Sequence, residues 1–433
     1  MEIPIKHQLG YASGNFGKSL LWTSLDYLLL FYMTEVAGIP AAWAGGIILV
    51  SLLWDASINP FIGYWIDRRA ASGLDYRPFL RWAPVATAFA FVALFWLPSK
   101  APTPNAAYLF IAMMIFRSAY ALLDVPHNAL LAHMPLGGKM RMRLAGMRFF
   151  FSSLGGLVVA ILVAPQFADS GDAEIGSSLA GMAAVAGVIL CVTVWQSLHP
   201  ARQAITERGY ATETLDPRRF VASILGNRAA MLYLGMAAVF ALSAPLYAKM
   251  LPYLLQYVRE EPAVLPTLLG ALTFGQMLAM PVLTAVLERV VARVVGLFTL
   301  TGLVLAMAAE FWFITSAFHL LVTATFAIGF FLGGTIQIVW GLSGEVADCI
   351  ADDSGVRVDA GLLAFLTFVQ KAAIGVGAII AGMALEFSGF ESRAVQPDSA
   401  LRMIEAVAIL FPLAGACVAI GIFTRLGKRL SQK

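Results

Sequence analysis

Residues 45–69 read GGIILVSLLWDASINPFIGYWIDRR, and this stretch decides the fold. It continues an uncharged run over 36–54, then sets Asp55 and Asn59 one helical turn apart in apolar surroundings, and ends on Asp67-Arg68-Arg69. Hydrocarbon offers the backbone no hydrogen-bond partners, so a membrane-crossing segment is a helix of about 20 mostly apolar residues. The stretch therefore reads as such a helix, with a polar spot at membrane depth and a basic turn at its end. Working outward, long uncharged runs recur at 149–168, 229–248, 262–287 and 406–424.

The whole chain repeats that character. Of its 433 residues, 60% are hydrophobic and only 13% charged, and the mean hydropathy is +0.79. A soluble domain carries about a quarter charged residues to cover its surface. Most of the outer surface here is predicted to face lipid. A net charge of +3 leaves no basic excess for nucleic acid. Cys191, Cys349 and Cys417 lie far apart with no CxxC pair, which predicts neither a disulfide framework nor a metal site. No nucleophile–base pair or phosphate loop is recognisable, so no enzyme activity and no cofactor are expected.

Turn residues at 98–105 (PSKAPTPN) and 316–319 split the longer apolar stretches. The resulting reading is an all-α polytopic membrane protein of twelve transmembrane helices. Their expected spans are 10–36, 42–65, 79–98, 106–132, 146–167, 176–198, 228–257, 264–287, 294–315, 319–345, 361–387 and 401–424. The first is not a cleavable signal, because it holds Lys18 and Asp26. The longest polar connection divides the chain into a six-helix bundle over 1–198, a cytoplasmic linker over 199–227, and a second bundle over 228–433. Most Lys and Arg fall on one side of this arrangement, against Lys100, Arg259, Arg393 and Arg402 on the other. The positive-inside rule then places both termini in the cytoplasm, in a cell (inner) membrane. Asp67-Arg68 after the second span is echoed by Glu288-Arg289 after the eighth, as duplicated halves would require.

Ionisable side chains at membrane depth cost several kcal/mol unless paired, so they mark function by default. Lys18, Asp26, Asp55, Arg117, Asp124, Lys249, Glu310 and Lys371 all lie inside expected spans. Arg117 and Glu310 read equally well as groups that orient helices. Asp55 and Asn59 share a helix face, and Pro60 frees a carbonyl beside them. Pro126 does the same near Asp124 and Asn128, between which His127 reads as a pore-facing hydrogen-bonding group. Lys18, Trp22, Asp26 and Leu29 form one stripe, an aromatic flanked by opposite charges, as a polar ligand pocket requires.

These residues carry a resemblance. Tyr11-Ala-Ser-Gly-Asn-Phe-Gly-Lys18, Tyr32-Met-Thr-Glu-Val-Ala-Gly38, Trp54-Asp-Ala-Ser-Ile-Asn-Pro60 through Gly63, Asp124-Val-Pro126, Arg148-Phe-Phe150, Val346-Ala-Asp348, Arg357 and Lys371 follow in order along the chain. Together they resemble the glycoside–pentoside–hexuronide:cation symporters of the major facilitator superfamily. The resemblance implies two six-helix bundles around a central cavity that opens alternately to the two sides. It implies Asp55, position 59 and Lys371 as the cation-coupling group, and Lys18, Asp124, position 128 and Arg148 in a sugar pocket, to which the stripe adds Trp22 and Asp26. It also implies a cytoplasmic gate from Asp67, Arg68, Arg143, Asp348 and Arg357.

Four positions depart from the family pattern. Asn59 stands where a second acid belongs, Ala121 for a threonine, Ser19 for an acid and Asn128 for a tryptophan. Sodium needs several oxygen ligands and charge to replace its hydration, whereas a proton needs one acceptor. The expectation is therefore a proton-coupled secondary transporter of a small polar or amphipathic solute, glycoside-like by family weight, acting as a monomer in the lipid bilayer. The alternatives are a lysophospholipid-like cargo, sodium-coupled or uncoupled facilitation, and a transporter-shaped receptor or assembly factor. Sodium chloride, compared with choline chloride, is expected to leave the protein's melting temperature unchanged. Asn59→Asp combined with Ala121→Thr is expected to create a sodium response in the same assay.

Overall fold

The computed structural model describes residues 4–71, 78–97, 102–133, 138–168, 175–204, 217–314, 317–354 and 359–430. Twelve main helices order the described residues: α1 Ile5–Phe31, α2 Ala41–Ala71, α3 Phe79–Ala93, α4 Pro102–His133, α5 Gly138–Val158, α6 Ile175–Ala204, α7 Arg228–Tyr253, α8 Leu265–Leu287, α9 Ala292–Phe313, α10 Phe318–Gly341, α11 Asp359–Phe387 and α12 Phe411–Leu430. Short helices at Pro217–Gly226, Ser343–Ser354 and Asp398–Glu405 flank them. Ten of the helical runs are long and apolar enough to cross a membrane. The other two are α3, which is short, and α1, which carries Lys18 and Asp26 along its apolar length.

Several boundaries differ from expectation: α1 starts already at Ile5, α2 runs on to Ala71, α6 to Ala204 and α12 to Leu430, while two other helices end early. The third helix stops at Ala93, where Leu94, Phe95 and Trp96 donate to carbonyls three residues back and tighten the chain into a turn before Pro98. The tenth helix ends at Gly341, and Ser343–Ser354 forms a separate helix after Leu342. Single π turns continue α1 at Tyr32–Val36, α5 at Val159–Val163 and α7 at Leu254–Val258, and another leads into α12 at Ala406–Leu410. The turns after α1 and α7 occupy equivalent places in the two sets of six helices.

Within the first six helices, α1 packs on α5 and α6, and α3 and α4 pack on each other and on α6 and α2 respectively. Within the last six, α7 lies against α11 and α12, and α10 against α8 and α9. The two sets meet through α2 on α11, α5 on α8 and α1 on α7. These contacts enclose an interior along which α1 runs.

The sets are drawn together at the end where Gly38 turns the chain at φ 68°. The Thr34 and Tyr253 hydroxyls lie 2.6 Å apart, and buried Glu35 accepts from Tyr257 at 2.8 Å and Ser392 at 2.9 Å. The Ala42 amide donates to Glu386 at 2.9 Å. Small residues let α2 and α11 approach closely here, as at other intramembrane helix interfaces. A Cβ added at Gly45 would lie 2.6 Å from the Ala378 carbonyl oxygen, and one at Gly382 only 2.2 Å from that of Ala41. A side chain there has backbone, not a yielding side chain, in its path. Gly382→Leu is expected to force α2 and α11 apart and lower stability by about 1–3 kcal/mol. Thermal unfolding, together with increased thiol labelling of a cysteine placed at Ala41, checks both consequences.

Candidate functional site

The site is built along α1, whose residues 15, 18, 22 and 26 recur every three or four positions and so share one face. Each meets a different helix. Lys18, only 4% exposed, pairs with Asp124 of α4 at 2.8 Å and donates to Asn128 Oδ1 at 3.1 Å. Asn128 donates back to the other Asp124 oxygen at 2.9 Å, one helical turn along α4. Arg148 of α5 donates to Asn128 Oδ1, and to Asn15 Oδ1 at 3.2 Å. Its guanidinium also stands 5.8 Å from the Tyr11 ring centre. Lys18, Asp124, Asn128 and Arg148 thus form one hydrogen-bonded cluster.

A second cluster lies one turn deeper. Asp55 of α2 is fully buried and pairs with Lys371 of α11 at 2.7 Å. Asn59, turned so that both ends of its amide are satisfied, accepts from Lys371 Nζ at 2.7 Å and donates to the Asp55 carbonyl at 3.2 Å. The ammonium is therefore held by the oxygens of Asp55 and Asn59, the i,i+4 pair whose spacing first drew notice. Trp22 packs beside it, with Lys371 Nζ 5.9 Å from its ring centre, the Arg117 guanidinium at 4.9 Å and the Tyr120 ring at 6.0 Å. Deeper still, Asp26 pairs with Lys249 of α7, and Tyr27 meets Thr273 of α8 at 3.2 Å.

The structure brings most of the expected residues together but assigns them different partners. Lys18 and Asp26 do not pair with each other; each takes an opposite charge from another helix. His127 is a correction. It is fully buried, stacked on Tyr11 at 5.5 Å, and its Nε2 bonds Ser197 of α6 at 2.9 Å. It bonds as expected but does not face the interior: around α4 it lies about 100° from Asn128 and about 60° from Asp124, on the side that packs against Tyr11 and Ser197. Ser19, in place of an acid, donates to the Ser152 carbonyl at 2.6 Å and so joins α1 to α5. Glu310 is fully buried against Tyr247 at 2.6 Å and Thr325 at 3.2 Å, away from the interior clusters. Of the expected gate, Asp348 lies exposed on Ser343–Ser354. Arg357 and the side chains of Asp67, Arg68 and Arg143 lie outside the described residues.

Sequence reasoning had noted Arg117 and Lys249 without giving either a role in the site. A signal for Lys249 existed. The π turns set Leu254 in register with Tyr32, which puts Lys249 within one residue of the counterpart of Asp26. No group of His, Cys, Asp and Glu among the described residues could hold a metal ion.

The sequence and the helix arrangement match known proteins along nearly the whole chain. Residues 10–427 match the model of a family described as MFS/sugar transport protein. The chain belongs to that family. It is a multi-pass membrane transporter of the major facilitator superfamily, with a small-molecule substrate, and not an enzyme. The uncharacterized symporter YjmB of Bacillus subtilis (strain 168) is 27% identical, over 100% of this chain and 94% of its own length. The putative glycoside/cation symporter YagG of Escherichia coli (strain K12) is 24% identical, over 98% and 92%. The crystal structure of the nucleoside transporter NupG superposes with a TM-score of 0.66 at 16% identity, covering 99% of this chain and 100% of that one. That likeness concerns the fold.

Removing one member of a buried ion pair leaves the other uncompensated and costs about 3–5 kcal/mol. Lys371→Ala and Asp55→Ala in the transporter are each expected to destabilise by that order, and the double variant by less than the sum. A double-mutant cycle on thermal unfolding measures the difference. Strict additivity would mean that the pair contributes nothing as a unit.

Proposed function

We propose that this transporter moves a hydroxylated solute of the glycoside class across the membrane in symport with a proton, and that Asp55 carries the proton. The supporting observation is the hold of Asp55 and Asn59 on the Lys371 ammonium between α2 and α11. A resident ammonium occupies the oxygens that a bound cation would need, and Asn59 contributes no charge to draw a sodium ion in its place. Protonation of Asp55 removes the negative partner of Lys371 and weakens the tie between the two sets of helices. A proton can thus bias the two-state equilibrium on which alternating access depends.

The solute would sit between the Lys18–Asp124–Asn128–Arg148 cluster and Trp22, where charged and amide groups suit hydroxyls and an indole suits the apolar face of a sugar ring. The glycoside and cation in the description of YagG agree with this cargo and coupling. The arrangement fits a monomer in the cell inner membrane with both termini cytoplasmic. The contacts at the Gly38 end then close the outward side, and exposed Asn128 faces the inward opening.

Reconstituted protein is expected to accumulate a glycoside against its gradient when a pH gradient, acid outside, is imposed, and to ignore a sodium gradient. Asp55→Asn is expected to abolish that accumulation while leaving at least a tenth of the rate of solute exchange. Accumulation by the variant equal to that of the unmodified protein would remove Asp55 from the coupling.

A further inference from the structure

Three carboxylates of the central clusters each hold one lysine: Asp124 has Lys18 at 2.8 Å, Asp55 has Lys371 at 2.7 Å, and Asp26 has Lys249. The pairs differ in where their members come from. Lys18 and Asp124 both belong to the first six helices, whereas Lys371 and Lys249 reach across from the last six to acids of the first six. A motion that parts the two sets carries those two lysines away and leaves Asp55 and Asp26 behind. Stripping a buried charge of its partner is strongly destabilising.

The first six helices also hold two arginines near these acids. Arg148 donates to the amide oxygens of Asn15 and Asn128. Arg117 of α4 is different: it is 4% exposed, and its Nε and Nη1 have no hydrogen-bond partner. A guanidinium stays charged at any working pH, and its N–H edge is costly to bury without an acceptor. Its face rests on Trp22, 4.9 Å from the ring centre. Trp22 and Asp26 are four residues apart on α1, so the carboxylate lies about 6 Å further along the same helix face. Arg117, Trp22, Asp26 and Lys249 line one cleft of about 10 Å³. That is room for about one water and for no group of a solute. Asp55 and Asp26 both act on Arg117 through their charge, yet each is paired with its lysine and not with Arg117.

We propose that Arg117 is the stand-in partner of Asp26: when α7 withdraws Lys249, the guanidinium leaves the face of Trp22 and takes the freed carboxylate. The proposal rests on the alternating-access part of the proposed function, and not on the solute or the coupling ion. The closed Gly38 end lies beyond Asp26 along α1, so opening that end parts α1 from α7 at the level of this pair. Arg117 travels with Asp26 because both belong to the first six helices. Asp26 therefore exchanges one cation for another and stays ionised throughout. Of the two acids that lose a lysine, Asp55 is then the one left to be neutralised by a proton.

The test uses the full-length transporter with its own three cysteines replaced by alanine and a single cysteine at Ala41, which is buried while the Gly38 end is closed. Arg117→Met is expected to fold, and to cut the rate of thiol labelling at position 41 about tenfold, because Asp26 then has no partner in the open state. Arg117→Lys keeps a cation and is expected to retain most of the labelling. In an Asp26→Asn background the same Arg117→Met change is expected to alter labelling less than about twofold, since no carboxylate is left to serve. In thermal unfolding, Lys249→Met and Arg117→Met together are expected to lower the melting temperature by more than the sum of the two single changes, because Asp26 loses both its partner and the replacement. Unchanged labelling in Arg117→Met, or an equal reduction in the Asp26→Asn background, overturns the exchange. Strict additivity of Lys249→Met and Arg117→Met overturns it as well. So does failure of Arg117→Met to fold, which would make the guanidinium a support of the closed state; should only the double variant fail to fold, the labelling comparisons carry the test. Proton-driven uptake is judged separately by the gradient assay, and none of these outcomes decides it.

Discussion

A charge taken out of water must find a partner, and the interior of this transporter is organised around that constraint. Removing a carboxylate or ammonium from water costs several kcal/mol, which an opposite charge with good geometry offsets only in part. Here each carboxylate of the central column meets a lysine from a different helix. Lys18–Asp124 joins α1 to α4, Asp26–Lys249 joins α1 to α7, and Asp55–Lys371 joins α2 to α11. Two of these three pairs cross between the first six helices and the last six. The groups least tolerable in lipid therefore tie the first six helices to the last six.

The helix α1 holds this scheme together because one of its faces touches every cluster in turn. From one end to the other it offers Asn15 to Arg148, Lys18 to Asp124, Trp22 to Arg117 and Lys371, and Asp26 to Lys249. Beyond them, Thr34 and Glu35 reach Tyr253 and Tyr257 at the Gly38 end. A change of charge at one level of the column acts on a helix that also carries the next level.

Much of the site was legible in the chain, in a particular way. The i,i+4 spacing of Asp55 and Asn59, and of Asp124 and Asn128, identified residues that share a helix face, and the structure keeps both pairs together. His127 was misread because its neighbours in sequence are polar and pore-facing, while its own side of α4 packs on Tyr11 and Ser197. Arg117 reads in the sequence as a costly charge that orients helices, since nothing nearby in sequence reveals that Trp22 covers one of its faces and that its buried Nε and Nη1 meet no acceptor.

The chain alone determined that its helices cross a membrane, where most of them begin and end, and which faces carry polar groups. Those properties follow from local rules: apolar length against bilayer thickness, 3.6 residues per turn, and proline and glycine at the breaks. Tertiary structure decided which charge meets which. Asp26 could have paired with Arg117, and no spacing in the sequence separates that choice from the pair that forms. The choice depends on how α1, α2, α4, α7 and α11 approach one another, down to the close contact that Gly45 and Gly382 permit between α2 and α11. Helix periodicity gives each residue a direction, but only packing gives it a neighbour, and at membrane depth the neighbour sets whether a charge is a liability or a site.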